Sequence, residues 1–195
     1  MIPFELEQNS DISTDQHRRA LLELLHSYLL RYPEESATIR QYALFVASEP
    51  DCFKRTNRAG HITAATWLVD AKGENVLLTH HRKLNKWLQL GGHADGTGDV
   101  LEVALAEARE ESGIQQVQIL GTEIFDLDIH PIPTMGTVAN HLHFDVRFVG
   151  QTHETSFVVS AESHDLAWVP IRNLSTYTTE PSMLRMAKKW LVGRQ

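Results

Sequence analysis

The spacing of hydrophobic positions changes character along the chain. Between residues 13 and 31, Leu21, Leu24, Leu25, Tyr28 and Leu29 recur at helical intervals, and Ser13 or Thr14 stands where a cap belongs. Tyr32-Pro33 closes that run, because a residue before proline is driven out of the helical region. A second helical stripe, Ile39, Tyr42, Ala43 and Val46, runs from Glu34 to about Ser48 and stops before Pro50. From His61 the pattern changes to strands, with a run rich in Ile, Thr, Ala, Trp and Val. His61 to Asp70 and Asn75 to Thr79 read as a hairpin about Ala71-Lys72-Gly73-Glu74. Trp87 to Leu90 reads as a short strand that runs into a glycine turn. A helix follows from Asp99 to Ser112, capped by Asp99 and stopped by Gly113, with Leu101, Ala104, Leu105 and Ala108 as its apolar stripe. Ile124 to His130, His141 to Phe148, Phe157 to Ser160 and Leu166 to Pro170 read as strands, with a loop at Ala161 to His164. Pro181 to Val192 reads as a closing helix.

Two of these strands carry an unusual polar side. In one, Phe125, Leu127 and Ile129 alternate with Asp126, Asp128 and His130; in the other, Leu142, Phe144, Val146 and Phe148 alternate with His141, His143, Asp145 and Arg147. A solvated face usually carries Lys, Glu, Thr and Ser. The mixture suits either a second metal site or the polar wall of a substrate pocket. The pocket reading is preferred: an arginine beside Zn²⁺ would be repelled, whereas beside a phosphate it is favoured. His141, His143 and Arg147 are therefore expected to contact substrate. His80, His81, Arg82, Lys83 and Lys86 form a basic cluster after the second strand, and Arg82 and Lys83 join the substrate-binding candidates.

Composition narrows the setting. The chain has 195 residues, 42% hydrophobic and 22% charged, enough for one domain with an extension. A net charge of −7 argues against nonspecific nucleic-acid binding. No apolar run approaches a membrane span. Met1 to Asn9 lack the basic-then-apolar order of a signal peptide. The lone cysteine, Cys52, permits no internal disulfide, so a reducing, cytoplasmic setting is expected.

The chemistry concentrates between Gly91 and Ile114. Glu107, Glu110 and Glu111 are spaced i, i+3, i+4, which stacks three carboxylates along one helix face. Their mutual repulsion becomes coordination if a hard divalent cation lies among them. The segment resembles the Nudix box, G-x5-E-x7-R-E-U-x-E-E-x-G-U with U aliphatic. Gly92 falls on its first glycine, Glu107, Glu110 and Glu111 on its last three glutamates, and Ile114 on its final aliphatic site. Gly98 stands where the box has a glutamate, and Ala106 where it has an arginine.

The resemblance implies an α/β fold: an α/β/α sandwich with a mixed sheet over residues 51–195, preceded by a helical extension over residues 1–50. It implies Mg²⁺ or Mn²⁺ held by Glu107, Glu110, Glu111 and the backbone near Gly92. It also implies catalytic roles for Glu107, Glu110 and Glu162. Glu162 is the loop glutamate before Trp168-Val169-Pro170 that Nudix proteins use as a base or extra ligand. Asp51-Cys52-Phe53, Gly60-His61-Ile62-Thr63, Gly91-Gly92-His93 and His141-Leu142-His143-Phe144-Asp145 also look like a bacterial subgroup of that family. The expected substrate is a small nucleotide, a nucleoside diphosphate linked to a sugar or ADP-ribose, for which Pro131 is a hint. A nucleoside triphosphate pyrophosphohydrolase or a weakened ligand-sensing module are the alternatives; an isomerase would need a cysteine that Cys52 does not supply. The helical extension reads as a packing or homodimer-forming element.

If the absent arginine leaves Glu110 poorly oriented, Ala106→Arg should raise turnover or metal affinity, with little change in stability because both residues favour helix. Steady-state kinetics and a Mn²⁺ titration measure it, and no change in either would show that the interaction is supplied elsewhere or not needed.

Overall fold

The computed structural model describes residues 12–134 and 139–193; Met1 to Asn9, read above for a leader, lie outside them. Helix α1 spans Ile12–Arg31 and, after a 3₁₀ turn at Pro33–Glu35, α2 spans Ser36–Ser48. Strands β1 (Gly60–Val69), β2 (Asn75–His81), β3 (Lys86–Leu88) and β4 (Leu90–His93) lead to helix α3 (Val100–Ser112). Strands β5 (Gln118–Ile119), β6 (Asp126–Ile132), β7 (His141–Gln151) and β8 (Ser163–Pro170) follow. A 3₁₀ segment at Ile171–Thr176 and helix α4 (Pro181–Val192) complete a mixed α/β fold with N-terminal helices. The strands form one sheet with the path β3-β2-β1-β7-β5, to which β4 adds on β1, β6 on β7 and β8 on β2. The chain builds two compact units that interleave in sequence. One comprises residues up to Ala64, His93–Val103 and Glu123–Val146; the other comprises Ala65–Gly92, Ala104–Thr122 and the chain from Arg147 onward.

In the first unit α1 and α2 pack through Leu21, Leu22, Leu25 and Tyr28 on one side and Ile39, Tyr42 and Val46 on the other, all buried. Arg18, 1% exposed, donates to the carbonyls of Val46 (2.9 Å) and Ala47 (2.6 Å) and pairs with Asp15. A cation at these last carbonyls satisfies acceptors that a helix end leaves open. The α2 ring face meets β7: the Tyr42 hydroxyl donates to Phe144 O at 2.7 Å, and Phe45 stacks on Phe144 at 3.8 Å.

In the second unit β8 lies antiparallel to β2, pairing Leu77 with Trp168 and Thr79 with Leu166. Beyond His80 the register slips, and His81 pairs with Ser163. The apolar centre comprises Leu68, Leu77, Leu90, Ala108, Ile114, Val117 and Leu166. Ala104 and Ala108 let α3 lie close to the strands, and the Thr66 hydroxyl donates to Ala104 O at 2.7 Å.

Three expectations shift. Ser13 and Thr14 fall inside the first turn of α1 instead of ahead of it. Residues 157–160 are not a strand: the Val158 N–H donates to Ser112 O at 2.7 Å, so this segment closes the end of α3 instead of joining a sheet edge. The sixth strand reaches Ile132 and contains Pro131, tolerated because among the described residues β6 pairs only with β7. The α3 boundaries come out as expected. Asp99 Oδ1 accepts from the N–H groups of Leu101 and Glu102 at 3.2 and 3.0 Å, and Gly113 sits at φ 73°.

Asp99→Ala removes that cap and should cost about 1 kcal/mol, a fall in melting temperature of roughly 2–4 °C for a chain of this size. Thermal unfolding followed by circular dichroism measures it, and an unchanged midpoint would mean solvent caps α3 equally well.

Candidate active site

Helix α3 grades Glu107, Glu110 and Glu111 by depth. Glu110 is exposed, Glu107 is partly buried, and Glu111 is 7% exposed. The buried side of the helix is thus carried by Val100, Val103, Ala104 and Ala108 and continues into Glu111, so one glutamate lies on it and not beside it. Glu111 Oε2 accepts the N–H of Gly91 at 2.9 Å. At Gly92 the carboxylate of Glu107 occupies the space a side chain would fill: a Cβ there would collide with both of its oxygens. Two carboxylates therefore reach the same Gly91-Gly92 turn. Burial pushes the Glu111 carboxyl up to about 8; the Gly91 N–H opposes this, and the charges of Glu107 and Glu162 add to it. A divalent cation stabilises the charged form that burial penalises, so this oxygen donor set fits a hard ion such as Mg²⁺ or Mn²⁺.

Glu162 is exposed, in the loop before β8, within electrostatic reach of Glu111. Arg82 fastens that loop. Its guanidinium donates to Ala161 O (3.1 Å) and Ser163 O (2.7 Å), and its own N–H donates to Glu162 O (2.9 Å). Lys83 is exposed in the following turn. Lys86 pairs with Glu180 at 2.8 Å. Trp87 stacks on His80 at 4.9 Å and meets Tyr177 edge-on at 5.6 Å.

The polar strand faces are far less solvated than their alternation suggested. Asp126 is fully buried, Asp145 accepts from the Thr63 hydroxyl at 3.0 Å, and Arg147 is 2% exposed. His141 and His143 do lie together, with ring centroids 5.2 Å apart. Two residues join them that belong to the subgroup resemblance but had no role assigned from the sequence. His61 lies 4.7 Å and His93 5.1 Å from the His143 ring. Burial, followed by the neighbouring histidines, pulls His61 down to about 4 and His143 down to about 2. β1 is buried along its whole length, so alternation does not mark His61, and His93 ends β4 directly after Gly92.

The NUDIX domain model matches residues 60–190. The chain belongs to the Nudix family. Among solved structures, it resembles a NUDIX-family hydrolase from Clostridium perfringens, with 25% identity, TM-score 0.52, and 70% of this chain and 98% of that one covered. It resembles the Escherichia coli dihydroneopterin triphosphate pyrophosphohydrolase, with 14% identity, TM-score 0.55 and coverage of 68% and 95%. It also resembles the NUDIX domain of Shewanella oneidensis NrtR complexed with ADP ribose, with 16% identity, TM-score 0.51 and coverage of 78% and 98%. No curated protein matches it in sequence. The chain is a Nudix hydrolase, of a family that generally uses divalent metals.

The two departures from the Nudix box acquire surroundings. A Cβ at Gly98 would run into the side chain of His17, so the box glutamate cannot stand there while α1 keeps its place. Ala106 is exposed, like Glu110 one turn on. Arg109 does not stand in for the box arginine in any hydrogen bond: its buried Nε has no such partner among the described residues.

Gly92→Ala tests the close approach of Glu107. The methyl group should displace the carboxylate and weaken Mn²⁺ binding about tenfold, equivalent to 1.4 kcal/mol, with the circular dichroism spectrum preserved. Calorimetric titration measures it; undiminished affinity would mean that the position of Glu107 against the turn is irrelevant to the ion.

Proposed function

We propose that this Nudix hydrolase cleaves the diphosphate of a nucleoside diphosphate linked to a second group, of the NDP-sugar or ADP-ribose type, with Mg²⁺ or Mn²⁺. One observation carries the reading: Glu107 and Glu111 are brought to one glycine turn, and Glu111 is buried with a single N–H donor. In this reading Glu107, Glu110, Glu111 and the backbone at Gly92 would hold the ion. When bound, it would supply charge to polarise the diphosphate and to acidify water.

The chain's own groups do the remaining work. Glu111 is oriented by the Gly91 N–H, which occupies its Oε2. Glu162 is the carboxylate taken to accept the proton of the attacking water, with Glu107 and Glu110 as the other candidates. Its exposure supports that role, because a proton taken there can pass to solvent. The two carbonyl bonds from Arg82 keep its loop from drifting, which makes Arg82 a positioning residue in the first place. Lys83, exposed beside it, remains a candidate for substrate phosphate, as do His141 and Arg147 of β7. A cytoplasmic setting agrees with the single, buried Cys52, and no helix among the described residues is long and apolar enough to cross a membrane. The reading assigns this hydrolase module to residues 51–195 and takes residues 1–50 as a helical extension.

Glu111→Gln should abolish most hydrolysis and weaken Mn²⁺ binding while the fold survives, since the amide oxygen can still accept the Gly91 N–H. The measurement is a screen of NDP-sugars, ADP-ribose and nucleoside triphosphates with both proteins, with released phosphate read after phosphatase coupling. Activity confined to triphosphates would replace the substrate class. No turnover on any nucleotide, with binding retained, would favour the ligand-sensing alternative.

A further inference from the structure

Five imidazole rings crowd one region of the first compact unit. His61 lies 5.0 Å from His93, 4.8 Å from His141 and 4.7 Å from His143, centroid to centroid. His143 in turn lies 5.1 Å from His93 and 5.4 Å from His130. Three of them, His61, His93 and His143, each bring one ligand nitrogen within 4.8 Å of the other two. They come from three different strands, β1, β4 and β7.

The group is poorly explained as packing. His61 is 3% exposed, and neither of its ring nitrogens has a hydrogen-bond partner among the described residues; the buried Nε2 of His143 has none either. A buried imidazole needs a partner for its lone pair as for its N–H. Rings at these spacings cannot all be protonated, since each charge would repel the next in a poorly solvated place. Neutral imidazoles grouped this closely offer lone pairs to a shared cation.

We propose that His61, His93 and His143 form a site for a borderline divalent transition metal, Zn²⁺ above all, distinct in ligand type from the carboxylates of α3. Ligand type separates the two. Imidazole nitrogen suits Zn²⁺ and its neighbours in the first transition row, whereas Mg²⁺ requires oxygen. Three histidines with a fourth position open to water or substrate is an established zinc arrangement. Zinc–nitrogen bonds of about 2.0–2.1 Å hold tetrahedral ligands roughly 3.4 Å apart, so modest ring movements would close the set.

The surroundings support it. His141 directs Nδ1 to Ala139 O at 2.9 Å, and His130 directs Nδ1 to Asp128 Oδ2 at 3.1 Å. Such carbonyl and carboxylate partners are what fix the tautomer and aim of metal-binding histidines, and in both rings they leave Nε2 for another contact. His141 is thus the candidate fourth ligand. Arg55, the cation that acts on His61, is engaged bidentately by Asp95, which offsets its charge. The proposal moves His143, and His141 if it is the fourth ligand, from the substrate wall expected from the sequence to the ion. Arg147 is left as the β7 candidate for substrate phosphate, and the proposal does not depend on which nucleotide is cleaved.

The test uses full-length protein without a histidine tag, stripped with chelator and titrated with Zn²⁺ against a chromophoric chelator, and with Co²⁺ followed by visible absorption. One tight equivalent of Zn²⁺ per chain is expected, and Co²⁺ should show the intense visible bands of a low-coordinate nitrogen site. His93→Gln and His143→Gln should each weaken Zn²⁺ by about a hundredfold, with Glu111→Gln unaffected. Circular dichroism confirms that each variant is folded; His93→Gln, at a partly buried position, covers the case in which the His143 variant is not. Absence of a tight equivalent in the wild type would overturn the site. So would full retention of Zn²⁺ by the folded histidine variants, or its loss in Glu111→Gln alone, which would assign the ion to the carboxylates.

Discussion

Glu111 is buried with one backbone N–H for company, and much of the second compact unit is arranged to allow it. Removing a carboxylate from water is costly unless several donors or a cation replace the lost hydration. One N–H from Gly91 is insufficient, as its raised proton affinity shows. The helix nevertheless presses that residue inward. Ala104 and Ala108 allow a close approach, the Thr66 hydroxyl ties the same side at Ala104 O, and the Val158 N–H holds the helix end at Ser112 O. Side chains of larger volume at the two alanines would lift α3 and carry Glu111 toward solvent. Small residues beneath the helix and a buried acid on it are therefore one arrangement and not two.

The same physics describes the histidines of the first unit. There, too, polar atoms are withdrawn from water without hydrogen bonds to replace it. The difference lies in the donor. Carboxylate oxygens surrounding a glycine turn select a hard ion, and imidazole nitrogens drawn from three strands select a borderline one. In each case the fold performs the desolvation in advance, so that an ion bound there would complete the site instead of gathering it.

Elements with strong periodicity were legible in the sequence. The α3 boundaries, the Asp99 cap, the left-handed Gly113 stop and the whole of α4 follow from local chemistry, and local chemistry is present in a single chain. The three glutamates were legible as a spaced set for the same reason. Their unequal burial was not, because it depends on which side of α3 the fold buries, and that side takes in Val100 and Val103 while Leu101 and Leu105 stay partly exposed. His61 and His93 belong to the subgroup resemblance but had no role assigned from the sequence, because their meaning lies in convergence. Each is an ordinary strand residue until β1, β4 and β7 bring it beside His143. Arg18 escaped notice for a related reason: a lone arginine in an amphipathic helix gives no sign that it will be buried against carbonyls some 28 and 29 residues later.

Gly98 and Ala106 bear on whether the departures from the box weaken the carboxylate site. In charge terms they cancel. A glutamate and an arginine contribute −1 and +1, so replacing both with neutral residues leaves the formal charge of the segment unchanged. The attraction of Glu107, Glu110 and Glu111 for a cation is then preserved to first order, and what is lost is orientation. At Gly98 the loss has a visible counterpart, because His17 of α1 fills the space a side chain would need. The N-terminal helix thus takes over volume at the start of α3 that the box residue would otherwise occupy. A chain lacking α1 could accept the glutamate again; one that keeps α1 must keep the glycine or move His17. The unusual box and the helical extension are therefore coupled features, and the steric conflict between them, more than a decay of catalytic residues, accounts for the glycine.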